Sequence, residues 1–556
     1  MTKTTTHFLA LLLAGAALLL PPGAVAPALV GGAVDLLPSV TAGLWGTKVV
    51  LLLAAGLVWL LASKLERFGR PEPVSTRGIS TDQEWTRLDL YLVLALLAVS
   101  TAFRTAGLNE GLWYDEIQTL VEYVRLPAGE ILANYDTANN HILYSLLAHN
   151  AVAMFGESAW ALRLPAALLG VLSIPIIYAF GRQIAPRSEA FLAAAFLSVS
   201  YHHVWFSQNA RGYTGVLVGT VIASALFLKL LSAHSVRPGL VIGYAVISAL
   251  TVWTHMTAAV VVIAHGIIWL LITFDRPRRM LSPTSLAILL ALILAGLFSL
   301  ALYGPVVPQL AGTLFGGSAA STATEWQNPS WLVLETLRNL SRGIPGGWPA
   351  IVIGSIIVLV GIQSYGRQSP LILSVLLLPA VLMGIMILGL GRNLWPRFFF
   401  FSAAFGVLIG VRGGATLIRG VVSQALAPRW ELGLGLVVVL LSATTVPRAW
   451  APKQNYHAAV EYLAEARADA DAVISVDLTS YPLRKYFELD WVTVDSPTSL
   501  SEIETAHPRT WVLYTFPVRL AAAYPDLWDK LQAEYTTARV IPGSVGGGDI
   551  VIMVKP

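Results

Sequence analysis

The chain has 556 residues, of which 56% are hydrophobic and 12% are charged, against roughly a quarter charged in soluble domains. This composition excludes an ordinary soluble enzyme and indicates a protein that crosses the membrane many times. The formal net charge of +4 is small, so nucleic acid is not an expected partner. The absence of cysteine excludes disulfides, thiolate metal ligands and a cysteine nucleophile.

Apolar runs of membrane-spanning length recur along most of the chain. A hydrocarbon core of about 30 Å requires about 20 apolar residues in a helix. We interpret the first run as a retained helix rather than a cleaved signal peptide, because its apolar character continues to about Ala33. The run from His141 to Phe155 is short and polar in places, so we assign it to a helix on the membrane surface. The thirteen predicted spans are 8–33, 42–63, 88–107, 162–181, 188–206, 212–232, 239–254, 257–274, 285–307, 348–364, 371–390, 397–413 and 431–448.

The distribution of Lys and Arg orients these spans. Short cytoplasmic loops carry an excess of basic residues, and a cytoplasmic N-terminus puts five basic groups on that side. The segment after residue 107, the loop 308–347 and the C-terminal tail then face the outside. We interpret Arg163, near the cytoplasmic start of a span, as structural or interfacial. The basic groups are Lys64/Arg67/Arg70/Arg77/Arg87, Arg182/Arg187, Lys229/Arg237, Arg276/Arg278/Arg279 and Arg412/Arg419/Arg429, and Arg367 agrees with them.

The character of the chain changes after Ala451. An amphipathic helix is predicted from Tyr456 to Ala468, followed by short apolar segments that are typical of buried strands. Residues 452–556 therefore form a small soluble α/β domain outside the membrane. The predicted strands are 472–476, 491–494, 510–514 and 549–554.

Two adjacent carboxylates, Asp115 and Glu116, follow the third span directly. Beside the lipid boundary, a partly desolvated carboxylate can accept a proton from a hydroxyl nucleophile. Both residues could also serve the N-terminus of a helix, Asp115 as its cap and Glu116 as a favourable charge. The two interpretations are compatible, because a capping position also fixes the direction of a carboxylate.

Polar residues follow in the same outer segment. Asn139, Asn140 and His141 could hydrogen-bond a sugar, orient Asp115, or simply form a polar loop. Without a second histidine at ligand spacing, a metal site at His141 is disfavoured. Among the histidines near span ends, His255 is the strongest candidate for a role in binding.

Two cationic turns also lie at the predicted outer ends of spans. Arg211 is isolated among apolar residues and requires an anionic partner, a carboxylate or a lipid phosphate, unless its side chain extends to the headgroups. Arg392 and Arg397 precede a run of four phenylalanines. That arrangement suits a phosphate whose polyprenyl chain lies in the membrane, although an aromatic belt with interfacial arginines is the alternative.

In order along residues 85–420, these motifs make the chain similar to the GT-C membrane glycosyltransferases. The resemblance is to the bacterial family that includes protein O-mannosyltransferases and the lipid A aminoarabinose transferase. Two departures are visible: the usual His-Pro-Pro-Leu-Tyr lacks both prolines, and the lysine of the aminoarabinose transferase is missing, which argues against that substrate. The matching motifs are Leu112-Trp113-Tyr114-Asp115-Glu116, His141-Ile142-Leu143-Tyr144, Phe155-Gly156, Arg163-Leu164-Pro165-Ala166-Ala167-Leu168, Ala210-Arg211-Gly212-Tyr213 and Pro396-Arg397-Phe398.

The resemblance implies an all-α polytopic domain of the GT-C type, with about thirteen transmembrane helices, followed by the soluble α/β domain. Residues 1–84 would add two N-terminal helices and a cytoplasmic linker. Residues 85–450 would form the catalytic membrane domain with its outer loop 108–160, and residues 452–556 the extracytoplasmic domain. The location implied is the bacterial plasma membrane.

The implied reaction moves a sugar from a polyprenyl-phosphate donor to an acceptor hydroxyl, with inversion. Asp115 would be the catalytic carboxylate, supported by Glu116. No cofactor is required, and nothing in the residues indicates a divalent metal. The resemblance implies donor-phosphate binding by Arg211 and Arg397, and Arg392 in the same cationic turn is predicted to join them. The residues predicted to bind the sugar or the acceptor are Asn139, Asn140, His141, Tyr144, Tyr213 and His255.

Two other classes of protein remain as alternatives. A transporter or flippase for lipid-linked sugars would explain the many spans and outer arginines, but not the acidic loop or the soluble tail. An O-antigen ligase or polymerase would depend on arginine and histidine in a late outer loop, and the loop 308–347 has no histidine.

Overall fold

The computed structural model describes residues 3–65, 73–75, 78–80, 84–137, 139–235, 237–274, 280–315, 326, 328–391, 393 and 395–555. A helical bundle occupies the chain up to Trp450, and a domain with a five-stranded sheet follows it. This confirms the predicted fold class. Several of the basic residues used for orientation lie outside the described residues, namely Arg67, Arg70, Arg77, Arg276, Arg278 and Arg279.

Long apolar helices make up most of the bundle, with short helices and 3₁₀ turns between them. The helices before the acidic segment are Lys3–Leu18, Pro22–Val30, Leu37–Leu65 and Arg87–Thr105. The acidic segment contains Tyr114–Thr119, a π-helical turn Leu120–Val124, Ala128–Ala133 and Ile142–Phe155. Beyond it lie Ala159–Ile184, Arg187–Ser198, Tyr201–Ser207, Tyr213–Leu231, Pro238–Thr254, Ala259–Thr273, Pro283–Tyr303, Val307–Phe315, Pro329–Gly343, Gly347–Gln368, Pro370–Gly389, Ala403–Val421 and Ala427–Ala443.

Among the described residues, ten helices are long and apolar enough to cross a membrane. They correspond to ten of the thirteen predicted spans. The predicted span 8–33 is a pair of helices bent by 70°, and 239–254 is an apolar helix of 17 residues. The predicted surface helix forms as Ile142–Phe155, and its position on the membrane surface stays a prediction.

The predicted span 188–206 is broken into two short helices. Ser200 caps the second helix by accepting a hydrogen bond from the backbone of His203. At the break, the guanidinium of the buried Arg104 donates to the carbonyls of Leu197 (3.2 Å) and Ser198 (2.9 Å). A helix C-terminus leaves such carbonyls without partners and is favourable for a cation. Arg104 therefore stabilises the break.

The C-terminal domain is a mixed sheet with helices. Its strands are β1 Ala472–Val476, β2 Val492–Val494, β3 Thr510–Tyr514, β4 Thr536–Ile541 and β5 Ile550–Lys555, in the order β2-β1-β3-β5-β4. Strand β1 pairs in parallel with β2 and β3, whereas β5 is antiparallel to β3 and β4. The helices of the domain are Tyr456–Ala466, Ser480–Lys485, Pro497–Ala506, Pro517–Ala523 and Pro525–Glu534.

The domain packs directly on the acidic segment. One buried apolar cluster contains Leu112 and Ile117 from that segment together with Tyr456 and Trp511 from the domain. Burial of apolar surface favours association by about 25 cal/mol per Å². The acidic segment is therefore a layer between the bundle and the domain.

Ion pairs concentrate at the other end of the Arg87–Thr105 helix. Asp89 pairs with Arg182 (2.5 Å) and Arg187 (3.0 Å). Glu189 pairs with Arg412 (2.7 Å) and Arg419 (2.8 Å). These arginines belong to the groups that the sequence predicts to be cytoplasmic. A 19-residue helix rises about 28 Å, so this end is one bundle length from the acidic segment.

Glycines allow two spans to approach closely. A methyl group on Gly361 would lie 2.0 Å from the carbonyl oxygen of Ile409, whereas one on Gly354 of the same helix would meet nothing within 4 Å.

We expect Gly361→Val to destabilise the bundle by about 1–3 kcal/mol, because the helices must separate. Thermal unfolding in detergent measures this, with Gly354→Val as the matched control. Equal stability of the two variants would contradict the packing described here.

Candidate active site

Asp115 and Glu116 begin the short helix Tyr114–Thr119 but face different surroundings. Successive residues of a helix point about 100° apart. The side chain of Asp115 is 15% exposed and lines a cavity, whereas that of Glu116 is completely buried. The two adjacent carboxylates therefore have separate roles.

Glu116 is held by an ion pair inside the protein. Arg163 donates to both of its carboxylate oxygens, at 2.8 Å and 2.5 Å, and the backbone N–H of Ala210 donates at 2.7 Å. Burial alone would raise the pKa of Glu116, but the charges of Arg163 and Lys453 and these hydrogen bonds lower it. The carboxylate stays ionised, is enclosed by its partners and does not line the described cavity, so its predicted catalytic role stays a prediction.

Arg163 lies at the same end of the bundle as Glu116. Its guanidinium also donates to the carbonyls of Leu108 (3.0 Å), Glu110 (2.7 Å) and Gly111 (3.0 Å). The predicted position of Arg163 near the cytoplasmic start of a span disagrees with this placement, because Arg182, at the other end of the same helix, belongs to the group that the sequence predicts to be cytoplasmic. Arg163 organises the loop that leads into the Asp115 helix.

Arg397 is the cation that faces Asp115. Its Nη1 lies 3.3 Å from Oδ2 of Asp115, and the two residues are 282 positions apart in the chain. The 3₁₀ turn Pro396–Ser402 presents the guanidinium, which also lies over the rings of Trp395 and Phe398. The side chain is 32% exposed. A pair that is open to a cavity can rearrange around a ligand.

Arg211 reaches Asp115 only indirectly. Its Nη1 donates to the carbonyl (2.8 Å) and side-chain oxygen of Asn139, and to Thr119 (3.2 Å). Asn139 in turn donates to the carbonyl of Asp115 at 3.2 Å. Arg211 does not belong to the described lining of the cavity. Its hydrogen bonds connect it to the Asp115 helix through Thr119 and Asn139. Its role in phosphate binding stays a prediction, and Arg392 lies outside the described residues.

Three of the predicted sugar-binding residues hold the segment together. Asn140 donates to the carbonyls of Ile131 and Asn134, and Tyr144 donates to the carbonyl of Leu162 at 2.8 Å. His141 accepts a hydrogen bond from the backbone N–H of Gly212 at 2.9 Å. Burial, helped by Arg211, holds the pKa of His141 well below its usual range.

Tyr213 and His255 lie closer to the ionic pair. The His141 ring packs edge-on against both, with centroid distances of 5.5 Å and 4.4 Å. Together with Arg397, Tyr213 and His255 line a small second cavity of about 10 Å³. This is about the space of one water molecule. Sugar or acceptor binding by these residues stays a prediction.

The main cavity has a volume of about 750 Å³ and three walls. Asp115 and Arg397 form one, the Pro329–Gly343 helix forms another, and loops of the C-terminal domain close the third. Its volume suits a ligand of several hundred daltons. Aromatic rings form much of the lining: Trp113, Tyr114, Tyr201, Trp205, Phe206, Trp326, Trp331, Trp395, Phe399, Phe400 and Phe516.

Several residues of this region carried no specific signal in the sequence. Glu335 and Asn339 come from the loop 308–347 and line the cavity. Lys453 is buried behind it, donates to the carbonyl of Gln208 at 2.6 Å and lies over the ring of Trp205. Burial lowers the pKa of Lys453 to about 7. Only the tertiary arrangement brings these residues to the site.

The described residues contain no group of three His, Asp or Glu side chains that could hold a metal ion. The prediction that no metal is required is not tested by this observation.

Comparison with known proteins supports the architecture. Residues 140–303 match the family model of the dolichyl-phosphate-mannose-protein mannosyltransferases, and among curated proteins none matches the sequence significantly. ArnT from Cupriavidus metallidurans in the apo state is 12% identical with a TM-score of 0.50, over 84% of this chain and 97% of that one. The archaeal oligosaccharyltransferase AglB from Archaeoglobus fulgidus, in complex with an inhibitory peptide and a dolichol-phosphate, is 12% identical with a TM-score of 0.50, over 81% and 73%. The chain therefore has the fold of the GT-C superfamily of membrane glycosyltransferases.

The buried ion pair gives a prediction for stability. We expect Glu116→Ala to destabilise the protein by about 3–5 kcal/mol, because Arg163 is left buried without its counter-ion. The matched control is Glu157→Ala, which breaks a pair with Arg125 whose side chains are 41% and 40% exposed and should cost about 0–1 kcal/mol. Chemical or thermal unfolding in detergent measures both. Similar losses in the two variants would show that Glu116 is not an anchor.

Proposed function

From the GT-C fold, we propose that the protein transfers a sugar from a polyprenyl-phosphate donor to a hydroxyl group of an acceptor, with inversion at the anomeric carbon. The reaction takes place in the main cavity, on the extracytoplasmic face of the plasma membrane. The observation that carries the proposal is the Asp115 carboxylate, which faces Arg397 at 3.3 Å in the wall of that cavity.

The comparisons support the choice of donor. The matched family model is described by its dolichyl-phosphate-mannose donor, and the AglB structure of the same fold contains a dolichol-phosphate. The matched residues 140–303 include Arg211, Tyr213 and His255. A protein, a lipid or a glycan can each supply the acceptor hydroxyl.

In the proposed mechanism, Asp115 accepts the proton of the acceptor hydroxyl. The hydroxyl oxygen attacks the anomeric carbon from the side opposite the phosphate and forms the new glycosidic bond. The bond from that carbon to the phosphate oxygen breaks, and its electron pair remains on the polyprenyl phosphate. Arg397 stabilises this growing negative charge, because a cation placed beside the leaving group acts on the charge that develops in the transition state.

The lining of the cavity fits the parts of such a donor. Aromatic rings pack against the apolar faces of sugars and against isoprene units. The four phenylalanines after Arg397 place apolar surface beside the cation, so a phosphate with a hydrocarbon chain matches both. Glu335 and Asn339, on the opposite wall, supply hydrogen-bonding groups for sugar or acceptor hydroxyls.

The central test replaces the carboxylate. We expect Asp115→Asn to lower transfer by about 10²- to 10⁴-fold, because the amide cannot accept the proton. The assay uses purified protein in lipid nanodiscs, polyprenyl phosphates carrying radiolabelled hexoses or pentoses, and a cell-envelope extract as acceptor. Transfer of label out of the donor lipid is the readout, and Asp136→Asn, an exposed carboxylate in the same segment, is the control.

The same assay distinguishes the proposed transferase from a transporter. A transporter of lipid-linked sugars would move labelled donor across the bilayer without cleaving it. Wild-type transfer by Asp115→Asn, or labelled donor that is moved but never cleaved, would contradict the proposed function.

Chelation tests whether Arg397 supplies the positive charge for the reaction without a divalent metal. We expect EDTA to leave the transfer rate unchanged, because Arg397 supplies the positive charge that a divalent metal would otherwise provide. The rate is measured in the same assay before and after dialysis against the chelator. A loss that Mg²⁺ or Mn²⁺ restores would show that the arginine is not sufficient.

A further inference from the structure

The first residues of the C-terminal domain reach into the helix that carries Asp115. Gln454 is completely buried. Its Oε1 accepts a hydrogen bond from the backbone N–H of Tyr114 at 3.0 Å, across 340 positions of sequence. Its Nε2 donates to Oγ1 of Thr515 at 3.0 Å. One side chain thus links the domain to the residue directly before Asp115.

The Tyr114 N–H needs such a partner. The first four N–H groups of a helix have no acceptor within it, and the Trp113 side chain provides none at the N-cap of this helix. The helix has only six residues, so it has little cooperative stability of its own. Gln454 supplies the missing acceptor from a distant part of the chain.

Asp115 itself is held mainly through its neighbours. On one side Glu116 is fixed by Arg163, and on the other Tyr114 is fixed by Gln454 and by packing of its ring against Tyr481 at 6.0 Å. The carboxylate of Asp115 makes one ion pair, at 3.3 Å. The backbone on both sides therefore sets the direction of this carboxylate.

We propose that Gln454 is a positioning residue for catalysis, which holds the Asp115 helix in the orientation that proton transfer requires. The inference rests on the proposed function and deepens it. The C-terminal domain then contributes a residue that completes the active site. A displacement of about 1 Å at a reacting group can lower a rate by about 100-fold.

The domain has other attachments, so the role of Gln454 is separable from docking. Trp205 donates to Oγ of Ser544 at 2.9 Å, Arg342 donates to the Ser544 carbonyl at 2.7 Å, and Lys453 donates to Gln208 at 2.6 Å. The buried cluster shared with the acidic segment adds apolar contacts. Removing one glutamine amide leaves all of these in place.

The experiment compares three variants of the full chain in the transfer assay described above. Gln454→Met fills a similar volume but removes both hydrogen bonds, and we expect kcat to fall by about 10- to 100-fold with KM for the donor changed less than about threefold. Gln454→Glu keeps an oxygen for the Tyr114 N–H and should stay within about threefold of wild-type kcat. Thr515→Val removes only the hydrogen bond of Gln454 within the C-terminal domain, leaves its bond to the Tyr114 N–H, and should keep wild-type kcat.

Thermal unfolding and limited proteolysis of each variant test whether its C-terminal domain stays docked. The inference is overturned if Gln454→Met has wild-type kcat, or if Thr515→Val loses as much kcat as Gln454→Met, since the bond to the Tyr114 N–H would then not be the contact that sets the rate. The wild-type protein and Asp115→Asn are measured alongside. An inactive wild type contradicts the proposed function itself, whereas an active wild type with an unaffected Gln454→Met contradicts only this inference.

Discussion

The buried ion pair between Glu116 and Arg163 is the constraint on which the site depends. Two charges removed from water are stable only when each is neutralised and hydrogen-bonded, and here both conditions are met by the loop before Asp115 and by Ala210. The pair therefore closes this loop onto the bundle. The segment that this pair fixes contributes Asp115 to the cavity wall and packs against the C-terminal domain.

Around that anchor, the site divides its work between adjacent residues. The carboxylate of Glu116 is enclosed and held rigidly by its ion pair. The carboxylate of Asp115 makes one ionic contact and remains accessible from the cavity. Arg211 acts at a further remove, through Asn139. A carboxylate that must exchange protons needs a polar, adaptable surrounding on one side and a rigid backbone on the other. The arrangement supplies both without burying the reactive group.

Sequence patterns predicted many of the helices and strands, because such patterns depend on local chemistry. Strands 472–476 and 510–514 have the predicted bounds, since buried strands are continuous apolar runs. Strand Thr536–Ile541 escaped prediction because it is polar and mostly exposed. The break in the span 188–206 is invisible to hydropathy, as Ser200 resembles any other serine. Gln454 carries no signal at all, because its function arises only when two segments far apart in sequence meet.

The break at Ser200 has a consequence for how the protein is made. The carbonyls of Leu197 and Ser198 that receive the Arg104 guanidinium lie more than 90 residues later in the chain. During synthesis, the Arg87–Thr105 helix therefore enters the bilayer before the groups that satisfy its arginine exist. An arginine in hydrocarbon is costly until it finds partners, and Arg104 lies in the last turn of its helix, from which a long side chain can extend to the headgroups. Burial of the Arg104 guanidinium therefore depends on a later segment of the chain, whose break at Ser200 supplies the carbonyls that the arginine needs.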